Sequence, residues 1–387
     1  MIRPLLLLSV LFSTFNAFAA DEPCTVSLEA SRVAAARAQL TSPGSPLQPS
    51  LQKLRRDADR LLKTPSASVL DKTKTADSGN KHDYFSLGPY WWPNPTKPDG
   101  LPYIRRDGHV NPESKTGTDS IAFARTCNAV RTLGLAYALT GHEPYAAKAA
   151  ALTRAWFLDP ATAMTPHLEY AQAVPGKNEV RGTGVLESRH LTALTDGLAL
   201  LARSPSWPHS DQTALHDWLE KFYDWLIKSP NGLAEAAARN NHGSWYDVQA
   251  AHLALYLGRT NDARTIIQQA LSKRIEHQIE PDGRQPLELA RTKSLDYCIF
   301  NLEALAQLAR LGRHVDIDLW THTSADGRSM ISALRFIAPY ADPSKPWPKE
   351  DLKEADRSRI TDLIRDYRRH HDDPTLPLSP APAEFDF

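Results

Sequence analysis

Apolar residues recur at three- and four-residue intervals along most of this chain, and strict alternation is scarce. The spacing predicts helices over residues 30–40, 51–62, 121–139, 145–158, 186–201, 215–227, 248–257, 263–275, 299–311 and 330–337. An alanine-rich run at 233–238 adds a shorter helical segment. Three helices end on an apolar stretch followed by glycine: Leu139-Thr140-Gly141, Tyr256-Leu257-Gly258 and Leu311-Gly312. Glycine at that position suits the left-handed conformation that closes a helix. After the first two, the next helix begins within a few residues, which produces antiparallel hairpins. Hairpins that recur without a repeated consensus favour a closed helical toroid over an open repeat array. The expectation is an all-α toroid forming a single domain over residues 21–387.

Two regions break the helical pattern. Residues 82–112 are rich in Pro, Gly, Tyr and Trp, and include Tyr90-Trp91-Trp92-Pro93. Their aromatics can pack as a plug, or can form a wall or lid on which flat sugar faces stack; a loop of this length favours a functional role. The Pro-rich run 374–387 reads as a loosely ordered tail. Residues 1–20 read as a signal peptide, with Arg3, an apolar run at 5–12 and a small-x-small site at Ala17-Phe18-Ala19. That apolar run is too short to span a membrane. The expected location is therefore periplasmic or secreted, with cleavage after Ala19 or Ala20.

Lysine plus arginine and aspartate plus glutamate number 45 each, so formal net charge is zero. This argues against a nucleic-acid or membrane-surface partner, though a local cluster of cations can still hold an acidic one. Three cysteines are present: Cys24, Cys127 and Cys298. Cys298 lies in an apolar helix and reads as core, which leaves Cys24–Cys127 as the natural disulfide in an oxidising compartment. The chain has no C-x-x-C and no H-E-x-x-H, so neither a metal nor a cofactor is expected.

The run Arg239-Asn240-Asn241-His242-Gly243-Ser244-Trp245-Tyr246-Asp247 places a cation, carboxamides, an imidazole and aromatics side by side. Asn and Gly disfavour a helix interior, so the group belongs where one helix ends and the next begins. A second cluster follows at 288–297, with Arg291, Lys293 and Tyr297 at another helix start. Glu187, Arg189 and His190 form a third. Asn, His, Arg and Tyr without a metal suit β-elimination from a uronic-acid polymer. Donors mask the carboxylate, which acidifies the C5 proton, and a base removes it. An acid then protonates the leaving O4. Neighbouring cations are expected to favour the Tyr297 phenolate. Where proton and leaving oxygen share a ring face, one tyrosine can serve both; otherwise His242 is the base and Tyr297 the acid. Arg189, His190, Arg239 and Lys293 are candidates for the cationic lining of a polyanion groove. One of Trp245 and Tyr246 is expected in the core and the other against sugar, while His252 reads as structural.

These residues also carry a resemblance. Asn240-Asn241-His242 with Trp245, and Arg291 six residues before Tyr297, resemble the alginate-lyase superfamily of polysaccharide lyases. Trp156-Phe157-Leu158-Asp159-Pro160, Leu168-Glu169-Tyr170-Ala171-Gln172, Ile279-Glu280-Pro281-Asp282-Gly283 and the Tyr90-Trp91-Trp92-Pro93 loop reinforce it. The resemblance implies an incomplete (α/α) toroid acting on an anionic polysaccharide such as alginate or glucuronan. It implies that Asn241 neutralises the carboxylate, His242 assists or acts as base, Arg291 orients, and Tyr297 is the base and acid. Where some alginate lyases carry a glutamine as a further carboxylate partner, this chain offers Glu187. Two other readings remain: a glycoside hydrolase on the same toroid, with Asp119, Asp247 or Asp296 as catalysts, and a non-catalytic polyuronate-binding protein.

Overall fold

The computed structural model describes residues 25–177, 181–376 and 385. Its chain opens with α1 (Ala30–Leu40) and α2 (Gln48–Leu62), then the long aromatic loop. Next come α3 (Ser120–Thr140), α4 (Glu143–Thr153), α5 (Leu191–Ala199), α6 (His209–Lys228), α7 (Pro230–Ala236), α8 (Asn241–Tyr256) and α9 (Thr260–Ala270). The series closes with α10 (Pro286–Leu289), α11 (Ser294–Gly312), α12 (Met330–Ile337) and α13 (Ser358–Arg368). Sequential helices pack as antiparallel neighbours, α3 on α4 and α8 on α9, and α11 joins α8 to α12 and α13. The architecture is a helical toroid.

Its core falls into two large clusters that meet at α8. One gathers Phe123, Trp156, Leu194 and Phe222 with Tyr246 and Ala250 of α8. The other gathers Ile275, Leu302 and Met330 with Trp245, Val248 and Ala251 of the same helix. Thirteen of the sixteen residues of α8 are buried. A helix buried on every side has no polar face to mark it, and is held by both clusters at once.

The left-handed caps form at Gly141 (φ 68°) and Gly258 (φ 74°). Gly312 departs from the expectation: it keeps helical geometry, and a Cβ there would meet Ile317 O at 2.2 Å. The left-handed turn falls instead on Asp316, φ 58°. Two predicted helices finish in π-helical turns, Arg154–Leu158 and Leu271–Glu276. The helix expected at 186–201 starts as a 3₁₀ segment, Gly182–His190, before α5. Helix α13 was not anticipated, although Ile360, Leu363, Ile364 and Tyr367 are buried from one face of it. Cys127 is a free, fully buried thiol in the α3 core, and its proposed partner falls outside the described residues. Cys24 itself, the leader, and most of the tail lie outside the described residues.

The 82–112 loop carries two small β-ladders. Strand β1 (Phe85–Leu87) pairs in parallel with β4 (Tyr170–Ala173), and β2 (Trp91–Trp92) pairs antiparallel with β3 (Ile104–Arg105). The loop thus holds a defined ribbon against the helices. Among the described residues no helix is long and apolar enough to cross a membrane.

Candidate active site

A cleft of about 780 Å³ opens between the aromatic loop and the starts of α8 and α11. The α8 wall follows from local sequence. Asn240 caps the helix, its side chain accepting from the His242 N–H at 3.3 Å. Gly243 permits the tight turn, because a Cβ there would meet Ala238 O at 2.1 Å. Arg274 clamps the preceding turn by donating to Ala236 O and Ala238 O, and is itself fixed by Asp247 at 2.7 Å. Both charges of that pair are buried.

On this wall the His242 Nδ1 lies 2.6 Å from Glu235 Oε1. A carboxylate only accepts, so Nδ1 carries the proton and Nε2 of the neutral ring keeps its lone pair. Glu235 is buried and sits in α7, inside the alanine-rich run read from sequence as plain helix. Asn241 is anchored from α10. Its backbone N–H and its Nδ2 both donate to Glu288, each at 2.7 Å. This uses one of the two N–H donors of the amide and leaves the other, while Oδ1 is buried without a partner among the described residues.

The opposite group is built around α11. Arg291 holds Asp107 of the loop through Nε at 3.0 Å and Nη2 at 2.7 Å. The same Nη2 donates to the Tyr297 hydroxyl at 2.6 Å, and the guanidinium carbon stands 3.7 Å from the ring centroid. Tyr90 adds a hydroxyl contact to Tyr297 at 2.9 Å. Burial and the Tyr90 hydrogen bond raise the Tyr297 pKa, and Arg291 does not offset them. The expected phenolate is thus replaced by a neutral phenol, because burial and Tyr90 outweigh the cation, with Asp107 adding a smaller push the same way. For Asp107, burial is outweighed by the Arg291 hydrogen bonds, and its pKa falls to about 2.

Asn241, His242, Arg291, Tyr297, Tyr90 and Trp91 share this cleft; the other candidates do not line it. Glu187 accepts from Tyr84 at 2.6 Å and Ser86 at 2.7 Å, and burial raises its pKa. The side chain that reaches the cleft from this group is Gln172, which is also hydrogen bonded to Glu187. Gln172 has φ 51°, a strained value for a non-glycine residue. Arg189 donates to Leu186 O, and burial drops the His190 pKa to about 3, so that ring supplies no cation. Arg239 is exposed and does not itself line the cleft, although Ala238 and Asn240 on either side of it do. Trp245 and Tyr246 are both core, their polar atoms donating to Phe300 O and Leu226 O. Trp92 lines a separate shallow depression with Arg106 and His109, and Lys293 lies over the Tyr90 ring. His252 is buried between Ser27 and Thr195, as expected of a structural ring.

The carboxylates that a hydrolase would use are engaged elsewhere. Asp119 pairs with buried Lys72, and Asp247 with Arg274. Asp296 reaches the cleft but is held by Arg359 at 2.5 Å. Four arginines (105, 181, 291 and 359) line the cleft against two carboxylates, Glu235 and Asp296. That surplus suits an anionic chain.

The fold is a helical toroid whose cleft sets a tethered imidazole and a hydrogen-bonded phenol among arginines, as the class of polysaccharide lyases would require. Residues 68–347 match the alginate lyase family, and the chain belongs to that family. An alginate lyase from Bacteroides ovatus is 42% identical and superimposes with a TM-score of 0.86, over 90% of this chain and 92% of that one. Alginate lyase A1-III from Sphingomonas species A1 shares the fold at 16% identity, with a TM-score of 0.52 over 85% of this chain and 90% of that one. A tetrasaccharide complex of a variant of alginate lyase A1-III superimposes with a TM-score of 0.57 at 17% identity, over 94% and 93% of the two chains. A search of curated sequences gives no match.

Proposed function

We propose that this protein cleaves β-1,4-linked mannuronate or glucuronate polymers, alginate or glucuronan, by β-elimination. One observation carries the reading. A single cleft holds an imidazole with its Nδ1 fixed by Glu235 and a phenol hydrogen bonded to Arg291. In these uronates the C5 hydrogen and O4 share a ring face; because Tyr297 is a neutral phenol, His242 Nε2 takes the C5 proton on that face. Electrons of that C–H bond form the C4=C5 double bond as the C4–O4 bond breaks. Tyr297 gives its proton to the departing O4, completing a new chain end. Arg291 turns its Nη1, which has no hydrogen-bond partner among the described residues, toward the carboxylate charge that grows at the transition state. The second Nδ2 N–H of Asn241 donates to the substrate carboxylate and helps neutralise it. The leader at residues 1–20 would deliver the enzyme to the periplasm or beyond, where such polymers are met.

The test is a panel of polymannuronate, polyguluronate, glucuronan and hyaluronan, followed by the ultraviolet absorbance of unsaturated uronide. Absorbance growth on polymannuronate or glucuronan is the expected result. Release of saturated reducing ends without that absorbance would instead mark a hydrolase. No product from any of the four, with polymer still bound, would mark a binding protein.

A further inference from the structure

Asp107 belongs to the aromatic loop, and sequence gave no reason to single it out. Its carboxylate makes four contacts with the start of α11 and the turn before it. Two are the Arg291 bonds already described; the others come from Thr292 Oγ1 at 3.1 Å and Thr292 N at 3.4 Å. The neighbouring Gly108 has φ 75°, and a Cβ there would meet Thr292 Oγ1 at 2.3 Å. Loop and turn therefore approach as closely as a glycine allows. Tyr90 of the same loop meets Tyr297. Everything the loop gives to Arg291 and Tyr297 thus arrives together when it docks.

From this geometry we infer that Asp107 is a positioning residue for the elimination: it orients Arg291 by a two-point grip and partly offsets the Arg291 charge beside the Tyr297 hydroxyl. The inference rests on the lyase reading above. Arg291 is gripped along its Nε–Nη2 edge, so one orientation survives, with Nη2 on the phenol and Nη1 free of the pair. Without the grip, the guanidinium is free to rotate about a long side chain, and a misplacement near 1 Å costs about 10² in rate. Without the negative charge, burial and Tyr90 still hold the phenol protonated, but Arg291 pulls harder on its proton and lowers its pKa.

The charged and titratable groups around Tyr297 are few. Tyr90 faces it from the loop, with Lys293 over the Tyr90 ring. Arg291 and Asp107 flank it, Arg105 of the loop pairs with the same Asp107 at 2.7 Å, and Glu288 bears on Arg291 from behind. Glu235, His242, and the Asp296–Arg359 pair share the cleft. Removing Asp107 changes one charge in this set.

The experiment compares wild type, Asp107→Asn and Asp107→Glu in the full chain. Asp107→Asn should lower kcat on the order of tenfold to a hundredfold with KM within about threefold. Asp107→Glu, which keeps charge and fork, should recover most of that loss. A fluorinated tyrosine at position 297, more acidic than tyrosine, then brings the phenol into a range read by fluorine NMR. Its titration midpoint should fall by about one pH unit in the Asp107→Asn background, a tenfold change in the phenolate-to-phenol ratio. An unmoved midpoint overturns the inference, as does a kcat loss that Asp107→Glu fails to repair. The phenol titration needs no substrate. If wild type makes no unsaturated product the lyase reading fails by itself, and the NMR shift still decides whether Asp107 controls Tyr297.

Discussion

The two walls of the cleft are made in different ways. On the α8 side, Glu235, Asn241 and His242 sit on helices whose neighbours are buried, locked by the Asp247–Arg274 pair and by Glu288. On the α11 side, Arg291 and Tyr297 take their partners, Asp107 and Tyr90, from a loop about two hundred residues earlier in the chain. The first wall is finished when the core is finished. The second is finished only when a loop docks. This separates a group whose geometry depends on global stability from one whose geometry depends on a local equilibrium.

The largest effect expected from breaking this arrangement is at Tyr297. Tyr297→Phe removes one hydroxyl from a ring packed under Arg291, so the fold and polymer binding should persist. The lost proton donor should lower kcat by about 10² to 10⁴. Production of unsaturated uronide at near wild-type rate would transfer the acid role to Tyr90. On the other wall, Glu235→Gln should cost less, roughly 10-fold to 10²-fold in kcat. The imidazole stays in the cleft, but an amide can meet it with either end, so the Nδ1–H tautomer is no longer imposed. A loss larger than that of Tyr297→Phe would reverse the ranking of the two walls.

Much of this contrast follows which parts were legible in the sequence. Helical periodicity marked the ring, and Asn240-Asn241-His242-Gly243 marked a helix start because those residues cap and turn rather than fill helices. Arg291 and Tyr297 stood out by type and spacing. Glu235 and Glu288 did not, since a lone glutamate in a helical run usually faces solvent, and burial is settled only by tertiary packing. Asp107 was hidden more deeply, because its partner lies far away in the chain and nothing local predicts the register of docking. Glu187 was expected beside the substrate carboxylate, and only tertiary packing shows that Tyr84 and Ser86 from the loop take its oxygens. Trp245 was misread because α8 is buried all round, leaving no outer face for a sugar.

Stability should divide along the same line. Asp247→Asn leaves the buried Arg274 guanidinium uncompensated, and breaking a buried pair costs about 3–5 kcal/mol. Denaturant unfolding should show that loss as a lower midpoint for the whole chain. Asp107→Asn touches a half-exposed pair on a loop, and its midpoint should move far less, by about 1 kcal/mol or under. Equal losses in the two variants would mean that the loop is part of the cooperative core, and the distinction between the walls would fall.

The smallest effect is expected at Trp92, which tests how far the site extends along the loop. Trp91 and Trp92 are adjacent in β2, and alternation sends them to opposite faces of the ribbon. Trp91 lines the cleft, with Lys177 and Arg181 over its ring at 4.8 and 5.2 Å. Trp92 faces the separate depression, with Arg106 over its ring at 5.4 Å and its Nε1 donating to His109 O. Trp91→Ala should therefore raise KM for the polymer by removing an apolar platform and two cation contacts. Trp92→Ala should leave kcat and KM within about twofold, the scale of a surface change of about 0.5 kcal/mol or less. Short and long polymannuronate chains provide the check. If Trp92→Ala raises KM for long chains but not for short ones, the polymer runs past Asp107 and over the outer face of the ribbon. The loop would then be a track for the polymer as well as a wall of the cleft.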